Sequence, residues 1–156
     1  MLRAERSSGS ADGDLIEHHI TNGTIVPVEI TCKLLTNAMK DSGKTHFLID
    51  GFPRNKDNLD GWNREVPKEK ANVMRVLFFE CDEKSCIDRC LQRGAAGSGR
   101  TDDNEESLRK RFVTYLNATM PIVQVFREQG LVKQIDANRS IEEVFKDVVE
   151  IFDGDK

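Results

Sequence analysis

The residues best suited to chemistry lie in one short segment that runs from an apolar stretch into a carboxylate, a turn and an arginine. Residues 47–58 read Phe-Leu-Ile-Asp-Gly-Phe-Pro-Arg-Asn-Lys-Asp-Asn. In open α/β sheets, ligands bind at the carboxyl ends of the strands. A strand ending at Asp50 would present that carboxylate, the Arg54 guanidinium and the Asn58 carboxamide at one ligand site. A carboxylate at the end of a buried strand is costly unless it is paired, hydrogen-bonded or near a metal ion.

A second group of arginines surrounds a glycine-rich stretch. Arg93 precedes the sequence Gly-Ala-Ala-Gly-Ser-Gly at 94–99, and Arg100 and Arg111 follow it. A guanidinium can hold a phosphate at two points, and in phosphoryl transfer the protein contributes mainly positioning and charge stabilisation. The glycine stretch predicts a mobile lid. The two groups together predict a nucleotide site for phosphoryl transfer.

Each group also has a purely structural interpretation. The turn at 51–54 can be an ordinary tight turn with an exposed arginine. Asp102 and Asp103 are suitable caps and first-turn acids for a following helix, and Arg111 can be a solvated residue of that helix. We favour the functional interpretation because arginines lie on both sides of a flexible loop.

The elements that position these residues alternate between strand and helix patterns. Apolar runs predict strands at 45–50, 72–80 and 131–135, and helical periodicity predicts helices at 15–21, from Pro27, at 56–64, at 83–93, at 104–129 with a break at Pro121, and from Ser140. Residues 7–14 are small and polar and predict a flexible loop. This alternation predicts an α/β fold with a parallel sheet.

Composition excludes several classes of protein. The 156 residues are 38% hydrophobic and 32% charged with a net charge of −4, which is typical of a globular protein without general attraction to nucleic acid or anionic lipid. No apolar run approaches the ~20 residues that span a bilayer, and no signal peptide opens the chain. We therefore expect a cytoplasmic protein with no nucleic-acid or membrane partner. The spacing of the four cysteines favours reduced thiols over a zinc site.

The phosphate loop that such a nucleotide site needs is not visible in the sequence. Gly43-Lys44-Thr45 imitates the end of the motif G-x-x-x-x-G-K-[ST], but its first glycine would fall at Ala38, inside a predicted helix. The tripeptide also precedes a strand, whereas a phosphate loop follows a strand and leads into a helix. We reject it as a phosphate loop.

Several motifs in order give the chain a family resemblance from Met1 to the last predicted helix. They are Leu-Arg-Ala-Glu at 2–5, Gly-Thr-Ile-Val-Pro-Val-Glu-Ile at 23–30, Phe-Leu-Ile-Asp-Gly-Phe-Pro-Arg-Asn at 47–55, Arg-Gly at 93–94, Ser-Gly-Arg-Thr-Asp-Asp-Asn at 98–104, and Ile-Asp-Ala at 135–137 with Ser140. In these motifs the chain resembles the nucleoside monophosphate kinases of the adenylate kinase family, and within that family the UMP/CMP kinases.

The resemblance implies transfer of the γ-phosphoryl group of Mg-ATP to UMP or CMP, and by extension to dCMP. The implied catalytic residues are Arg93, Arg100, Arg111 and Asp50, with Asp50 holding Mg²⁺ through water. The implied monophosphate-binding residues are Arg3, Thr24, Ile25, Val26, Gly51, Phe52, Pro53, Arg54, Asn58, Arg100 and Arg111. Among them, Thr24, Ile25 and Val26 would line the acceptor nucleoside. The implied ATP-binding residues are Arg93 and Arg139, with Arg139 beside the adenine. The resemblance also implies a monomer that resides in the cytoplasm and the nucleus.

Asn58 is the reason to expect pyrimidine acceptors. It occupies a position where adenylate kinases usually carry glutamine, and a carboxamide offers both a donor and an acceptor. Rotation of the carboxamide would let it match either the uracil or the cytosine edge.

The main departure from the family is at the amino terminus, because the family begins with a strand, the phosphate loop and a helix that precede the motif at 2–5. We therefore expect an incomplete three-layer α/β fold: one domain, 1–156, with a parallel sheet flanked by helices, a monophosphate-binding segment at about 1–26 and a lid at about 94–103. We expect low or no kinase activity from this chain alone. The alternative is a non-catalytic relative that binds pyrimidine monophosphates or a protein partner.

Overall fold

The computed structural model describes residues 1–66, 69 and 71–153. In chain order the elements are α1 (Leu2–Arg6), α2 (Ala11–Asn22), α3 (Val28–Ser42), α4 (Lys56–Glu65), β1 (Val76–Glu80), α5 (Glu83–Ala95), α6 (Glu105–Thr114), α7 (Met120–Glu128), β2 (Val132–Asp136) and α8 (Ile141–Asp153). A π-helical turn, Tyr115–Thr119, joins α6 to α7.

The two strands form a parallel sheet. Val76 pairs with Val132 at one end and Glu80 with Asp136 at the other. Phe78 and Ile135 are buried in it, and α7 and α8 pack against β2. The α/β class, the parallel sheet and the flanking helices are therefore confirmed, and both strands lie within one to four residues of their predicted starts.

The prediction of a strand at 45–50 is wrong. The sheet of the described residues contains only β1 and β2, and the segment around Leu48, which is 87% exposed, is not part of it. An apolar run gives the backbone a tendency to extend, but a strand exists only where a neighbouring backbone supplies ladder hydrogen bonds. No described segment pairs with 45–50 in that way. Ile49 packs against a core cluster, whereas Leu48 stays largely in water.

Residues 7–14 form more helix than their composition predicts. The Ser10 side chain accepts a hydrogen bond from the N–H of Gly13 at 3.0 Å and so caps α2, which begins at Ala11. Asp12 and Asp14 lie in the first turn, where carboxylates favour the positive end of the helix dipole. The prediction of a flexible loop is thus wrong for the second half of this stretch.

The predicted break in the long helix occurs before the proline rather than at it. The π-helical turn ends at Thr119, and α7 starts at Met120 with Pro121 in its first turn. A proline is tolerated there because its missing N–H would have no partner within the helix.

Burial is uneven along the chain. Ile16, Val26 and Ile30 form one core cluster between α2 and α3. A second cluster of Leu35, Trp62 and Val66 lies between α3 and α4. By contrast, α8 has no buried residue, and its Phe145 is 63% exposed. The two core clusters therefore lie in the helical part of the described chain, and Leu2 and Phe52, close to Arg3 and Arg54 in sequence, pack against them.

Candidate functional site

A buried carboxylate joins two arginines that are far apart in the sequence. The Asp102 side chain is only 2% exposed. It accepts hydrogen bonds from Arg3 Nη2 at 3.1 and 3.2 Å and from Arg111 Nη1 at 2.6 Å. Arg3 belongs to α1 and Arg111 to α6, and Arg3 is 99 residues from Asp102. These ion pairs therefore connect α1 to α6 and to the segment that precedes α6.

The guanidinium of Arg54 lies within electrostatic reach of the same arginines. Loss of surrounding water lowers the pKa of Arg54, although the residue keeps exposed surface, and the charges of Arg111 and Arg3 lower it further. The charge of Asp50 acts in the opposite direction. We call Arg3, Arg54, Asp102 and Arg111 the Asp102 group. It unites three of the predicted monophosphate-binding arginines.

The turn before Arg54 requires glycine. Gly51 has a φ of 67°, and a Cβ atom there would lie 2.5 Å from Arg54 Nη2. The Nε of Arg54 donates to the Gly51 carbonyl oxygen. The following Phe52–Pro53 peptide bond is cis, and the Phe52 ring packs edge-on against Trp62 at 5.8 Å between centroids. The predicted turn 51–54 therefore connects Arg54 to the core between α3 and α4.

A second carboxylate, the next residue in the sequence, holds the arginine that precedes the glycine stretch. Asp103 accepts hydrogen bonds from Arg93 Nη2 at 2.6 Å, from Arg93 Nε at 3.1 Å and from Ser98 Oγ at 2.7 Å. The Arg93 hydrogen bonds are the main reason that the pKa of Asp103 falls to about 2, with smaller contributions from Ser98 and the Arg100 charge. We call Arg93, Ser98, Arg100 and Asp103 the Asp103 group.

The two groups are neighbours, but they contain different arginines. Arg100 is exposed, its backbone N–H donates to Ser98 Oγ at 3.2 Å, and its charge acts on Asp103. The charge of Asp102 also raises the pKa of Arg93, after the larger effect of the hydrogen bond to Asp103. The structure thus places Arg93 and Arg100 beside the Asp102 group rather than within it.

The helix-capping interpretation of the two acids is wrong. The N-cap of α6 is Asn104, whose side chain accepts from the N–H of Ser107 at 2.9 Å. Asp102 and Asp103 precede the cap and bind arginines instead. Sequence reasoning missed them as site residues because an acid just before a helix is ordinarily explained by the helix. The available signal was that two such acids follow an arginine-flanked glycine loop.

The carboxamide of Asn58 is buried, and only part of its hydrogen-bonding capacity is used. Its Oδ1 accepts from the backbone N–H of Arg54 at 3.2 Å. Its Nδ2 is buried and has no hydrogen-bond partner among the described residues. Since the oxygen is needed by Arg54, rotation of the carboxamide would cost that bond. This geometry argues against the expected free rotation and leaves a fixed N–H donor.

The predicted nucleoside-lining residues have mixed environments. Thr24 is exposed and its Oγ1 lies 2.8 Å from His19 Nδ1. Ile25 is half-buried, whereas Val26 is part of the core. Just before them, the Gly23 carbonyl oxygen accepts from Thr114 Oγ1 at 3.1 Å. This segment is therefore attached to α6, next to Arg111.

Asp50 is exposed and lies close enough to Arg54 to influence its pKa. Within the described residues, no three His, Cys, Asp or Glu side chains are grouped so as to hold a metal ion. Mg²⁺ commonly keeps several waters and uses one or two carboxylates together with substrate phosphates. A single exposed carboxylate beside arginines that are predicted to bind phosphate fits that pattern. The four cysteines are free thiols, as predicted.

Arg139, the predicted adenine neighbour, lies apart from both groups. It pairs with Asp147 of α8, which raises its pKa, and its Nε donates to the Asp136 carbonyl oxygen at 3.2 Å. The loop around it is held by Arg89, whose Nη1 donates to the Ala137 carbonyl oxygen at 2.6 Å. Arg89 was not predicted, since a helix-face arginine carries no distinguishing signal in the sequence.

Comparisons with known proteins agree on one family. The family model described as adenylate kinase matches residues 1–131. The chain is 54% identical over 161 residues to the UMP-CMP kinase of Danio rerio, covering 99% of this chain and 81% of that protein. It is 55% identical over 156 residues to UMP-CMP kinase 2 of Caenorhabditis elegans, covering 99% and 80%. It is 53% identical over 159 residues to the Homo sapiens UMP-CMP kinase, covering 98% and 80%.

None of the described helices combines the length and the apolar character needed to cross a membrane.

Proposed function

We propose that this chain, which belongs to the adenylate kinase family, is a pyrimidine nucleoside monophosphate kinase acting on UMP and CMP. The phosphoryl donor in this proposal is ATP, and the product is the nucleoside diphosphate. The observation that carries the proposal is the Asp102 group, in which Arg3, Arg54 and Arg111 converge from three separate parts of the chain. The identity to proteins named UMP-CMP kinase supports it.

In this proposal the Asp102 group binds the acceptor monophosphate. Planar guanidinium groups form paired hydrogen bonds with phosphate oxygens. Arg3 and Arg54 would hold the acceptor phosphate, and Arg111 would face the group being transferred. Arg93 and Arg100, from the neighbouring Asp103 group, would approach from the side of the glycine stretch and contact the donor phosphates.

When bound with ATP, Mg²⁺ neutralises developing phosphate charge. Asp50 is the residue of this chain that fits an interaction with its waters. Its carboxylate is exposed and near Arg54, so it would also help to orient the arginine toward the acceptor.

The choice of a pyrimidine base is attributed to Asn58. Its buried Nδ2 lacks a partner among the described residues, and such a donor is costly to leave unsatisfied. Uracil and cytosine share a carbonyl acceptor at C2, so one fixed N–H donor could serve both bases.

Changing Asn58 to Leu should weaken CMP and UMP binding by about tenfold each, because a hydrogen bond of that kind is worth ~1 kcal/mol or more. Isothermal titration calorimetry would measure it.

We also propose that the 156-residue chain by itself transfers phosphoryl groups poorly. Its sequence contains no G-x-x-x-x-G-K-[ST] motif to cradle the donor phosphates. A single transition-state arginine can be worth ~10³-fold or more in rate, and we expect a whole phosphate cradle to matter at least as much.

Two proteins test the proposal. The 156-residue chain should bind CMP but show little phosphorylation in a coupled ADP-release assay with ATP and CMP. A chimaera should phosphorylate CMP and UMP faster than AMP if it carries the strand, phosphate loop and helix of a UMP-CMP kinase before Met1. Turnover by the short chain at a normal kinase rate would refute the claim of low activity. A folded chimaera that binds CMP without turnover would favour a non-catalytic relative instead.

A further inference from the structure

We propose that Asp102 is a positioning residue, an internal anion that holds Arg3 and Arg111 in the arrangement required to bind the phosphate of the acceptor nucleotide. This inference rests on the proposed function, because it concerns the same acceptor site.

The geometry leaves donors available for a ligand. Arg3 contacts Asp102 through Nη2 and Arg111 through Nη1. Each guanidinium has five N–H donors in a fixed plane, so the ion pairs do not exhaust either side chain. In particular, Arg3 Nη1 is buried without a hydrogen-bond partner among the described residues. An unsatisfied charged donor beside a locked ion pair is what an anion site would present before its anion binds.

The balance of charge also suits a phosphate monoester. The charges of Arg3 and Arg111 act on Arg54 and lower its pKa, so the three cations are close enough to repel one another. Asp102 offsets part of that repulsion. Within the Asp102 group, three positive groups and one negative group leave two positive charges, which Asp50 near Arg54 partly offsets. A phosphate monoester carries about −1.5 to −2 at pH 7, so the site still attracts it. Asp102 can therefore stabilise the empty site without neutralising it.

The position of Asp102 connects the phosphate site to the segment predicted to line the nucleoside. Arg111 packs against Gly23, where an added Cβ atom would lie 3.1 Å from Arg111 Cγ. Gly23 itself accepts a hydrogen bond from Thr114 of α6. Asp102 fixes Arg111, and Arg111 in turn packs against Gly23, after which the segment from Thr24 to Val26 begins.

Calorimetric titration with CMP and with cytidine separates a positioning role from a purely structural one. We expect Asp102→Asn to weaken CMP binding by about tenfold and to leave cytidine binding within about twofold, because only CMP carries the phosphate. Asp102→Glu keeps the charge but moves it, so its CMP affinity should lie between those of the wild type and Asp102→Asn. The matched control is Asp60→Asn, an exposed acid paired with Lys56 on α4, which should bind CMP as the wild type does.

Circular dichroism would verify that each variant is folded. If Asp102→Asn does not fold, the ratio of CMP affinity to cytidine affinity in Asp102→Glu provides the test. Unchanged CMP affinity in the folded Asp102 variants overturns the positioning role and leaves the proposed function intact. Tighter CMP binding by Asp102→Asn also overturns it, since the carboxylate would then compete with phosphate. If the wild-type chain binds CMP no better than cytidine, the acceptor site of the proposed function fails, and this inference fails with it.

Discussion

Two adjacent carboxylates, Asp102 and Asp103, each bind arginine side chains, but they do so over very different distances in the sequence. Asp102 pairs with Arg3, 99 residues away, as well as with Arg111 of α6, 9 residues away. Asp103 pairs with Arg93, 10 residues away, and with Ser98 in the glycine stretch. The Asp102 group therefore holds separate helices together, whereas the Asp103 group organises one local segment.

The sharpest test of this contrast is to remove each carboxylate in turn. Asp102→Ala would leave the Arg3 and Arg111 cations facing each other without their anion, and breaking a buried pair costs ~3–5 kcal/mol. Because both arginines are more than one third exposed, we expect a smaller loss of about 2–3 kcal/mol in the free energy of unfolding. Urea denaturation followed by circular dichroism would measure it.

Asp103→Ala is the matched comparison, and its loss should be about 1 kcal/mol because the Arg93 pair is local and Arg93 is 40% exposed. Equal losses in the two variants would show that the long-range and local groups do not differ in the way described.

A substitution at Gly51 tests whether Arg54 belongs with the Asp102 group. Gly51→Ala would place a Cβ atom 2.5 Å from Arg54 Nη2 at a residue with a φ of 67°. We expect a loss of about 1–2 kcal/mol in unfolding free energy from backbone strain and a clear weakening of CMP binding because Arg54 must move. Gly97→Ala has a similar φ of 81° but open space around it. It should be destabilised with little change in CMP affinity.

If Gly51→Ala bound CMP as well as Gly97→Ala did, the position of Arg54 would not matter for the acceptor phosphate. Calorimetry on the two glycine variants would decide between these outcomes.

The contrast between the two groups also shows what the sequence can predict. Arg54, Arg93, Arg100 and Arg111 were predicted from their spacing around turn and loop signals, and α3, α4, α5 and α8 from helical periodicity, because both signals are local. Arg3 was expected only from the family resemblance. The partnership of Arg3 with Asp102 was not predicted, since it depends on how α1 and α2 pack near α6. The strand predicted at 45–50 failed for a related reason: its apolar pattern is local, but pairing requires a partner elsewhere.

The pH dependence of stability should separate the Asp103 group from the rest of the chain. The pKa of Asp103 is lowered from 3.8 to about 2, chiefly by the hydrogen bond from Arg93. A group with a depressed pKa stabilises the fold above its unfolded pKa, and that contribution is lost as the pH falls toward the folded value. The window is therefore about pH 4 to pH 2. We expect the wild type to lose on the order of 1 kcal/mol more than Asp103→Asn across it, because solvent screening reduces the effect.

Urea denaturation of both proteins at pH 5, 4, 3 and 2.5 would measure this difference. Other carboxylates titrate in the same range, and subtraction of the Asp103→Asn curve removes their contribution. Parallel curves for the two proteins would mean that the Arg93–Asp103 pair is not formed in solution.

The smallest expected effect is that of Ser98, which connects the glycine stretch to Asp103. Ser98 Oγ donates to Asp103 and also accepts from the backbone N–H of Arg100, so Ser98→Ala removes two hydrogen bonds from one exposed loop. We expect about 0.5–1 kcal/mol of lost stability and faster amide hydrogen exchange confined to 94–101. The pKa of Asp103 should rise toward its ordinary value, because the Ser98 bond helps to lower it.

CMP affinity should stay unchanged, since the Asp102 group does not depend on this loop. A loss of CMP binding in Ser98→Ala would show that the two groups act as one.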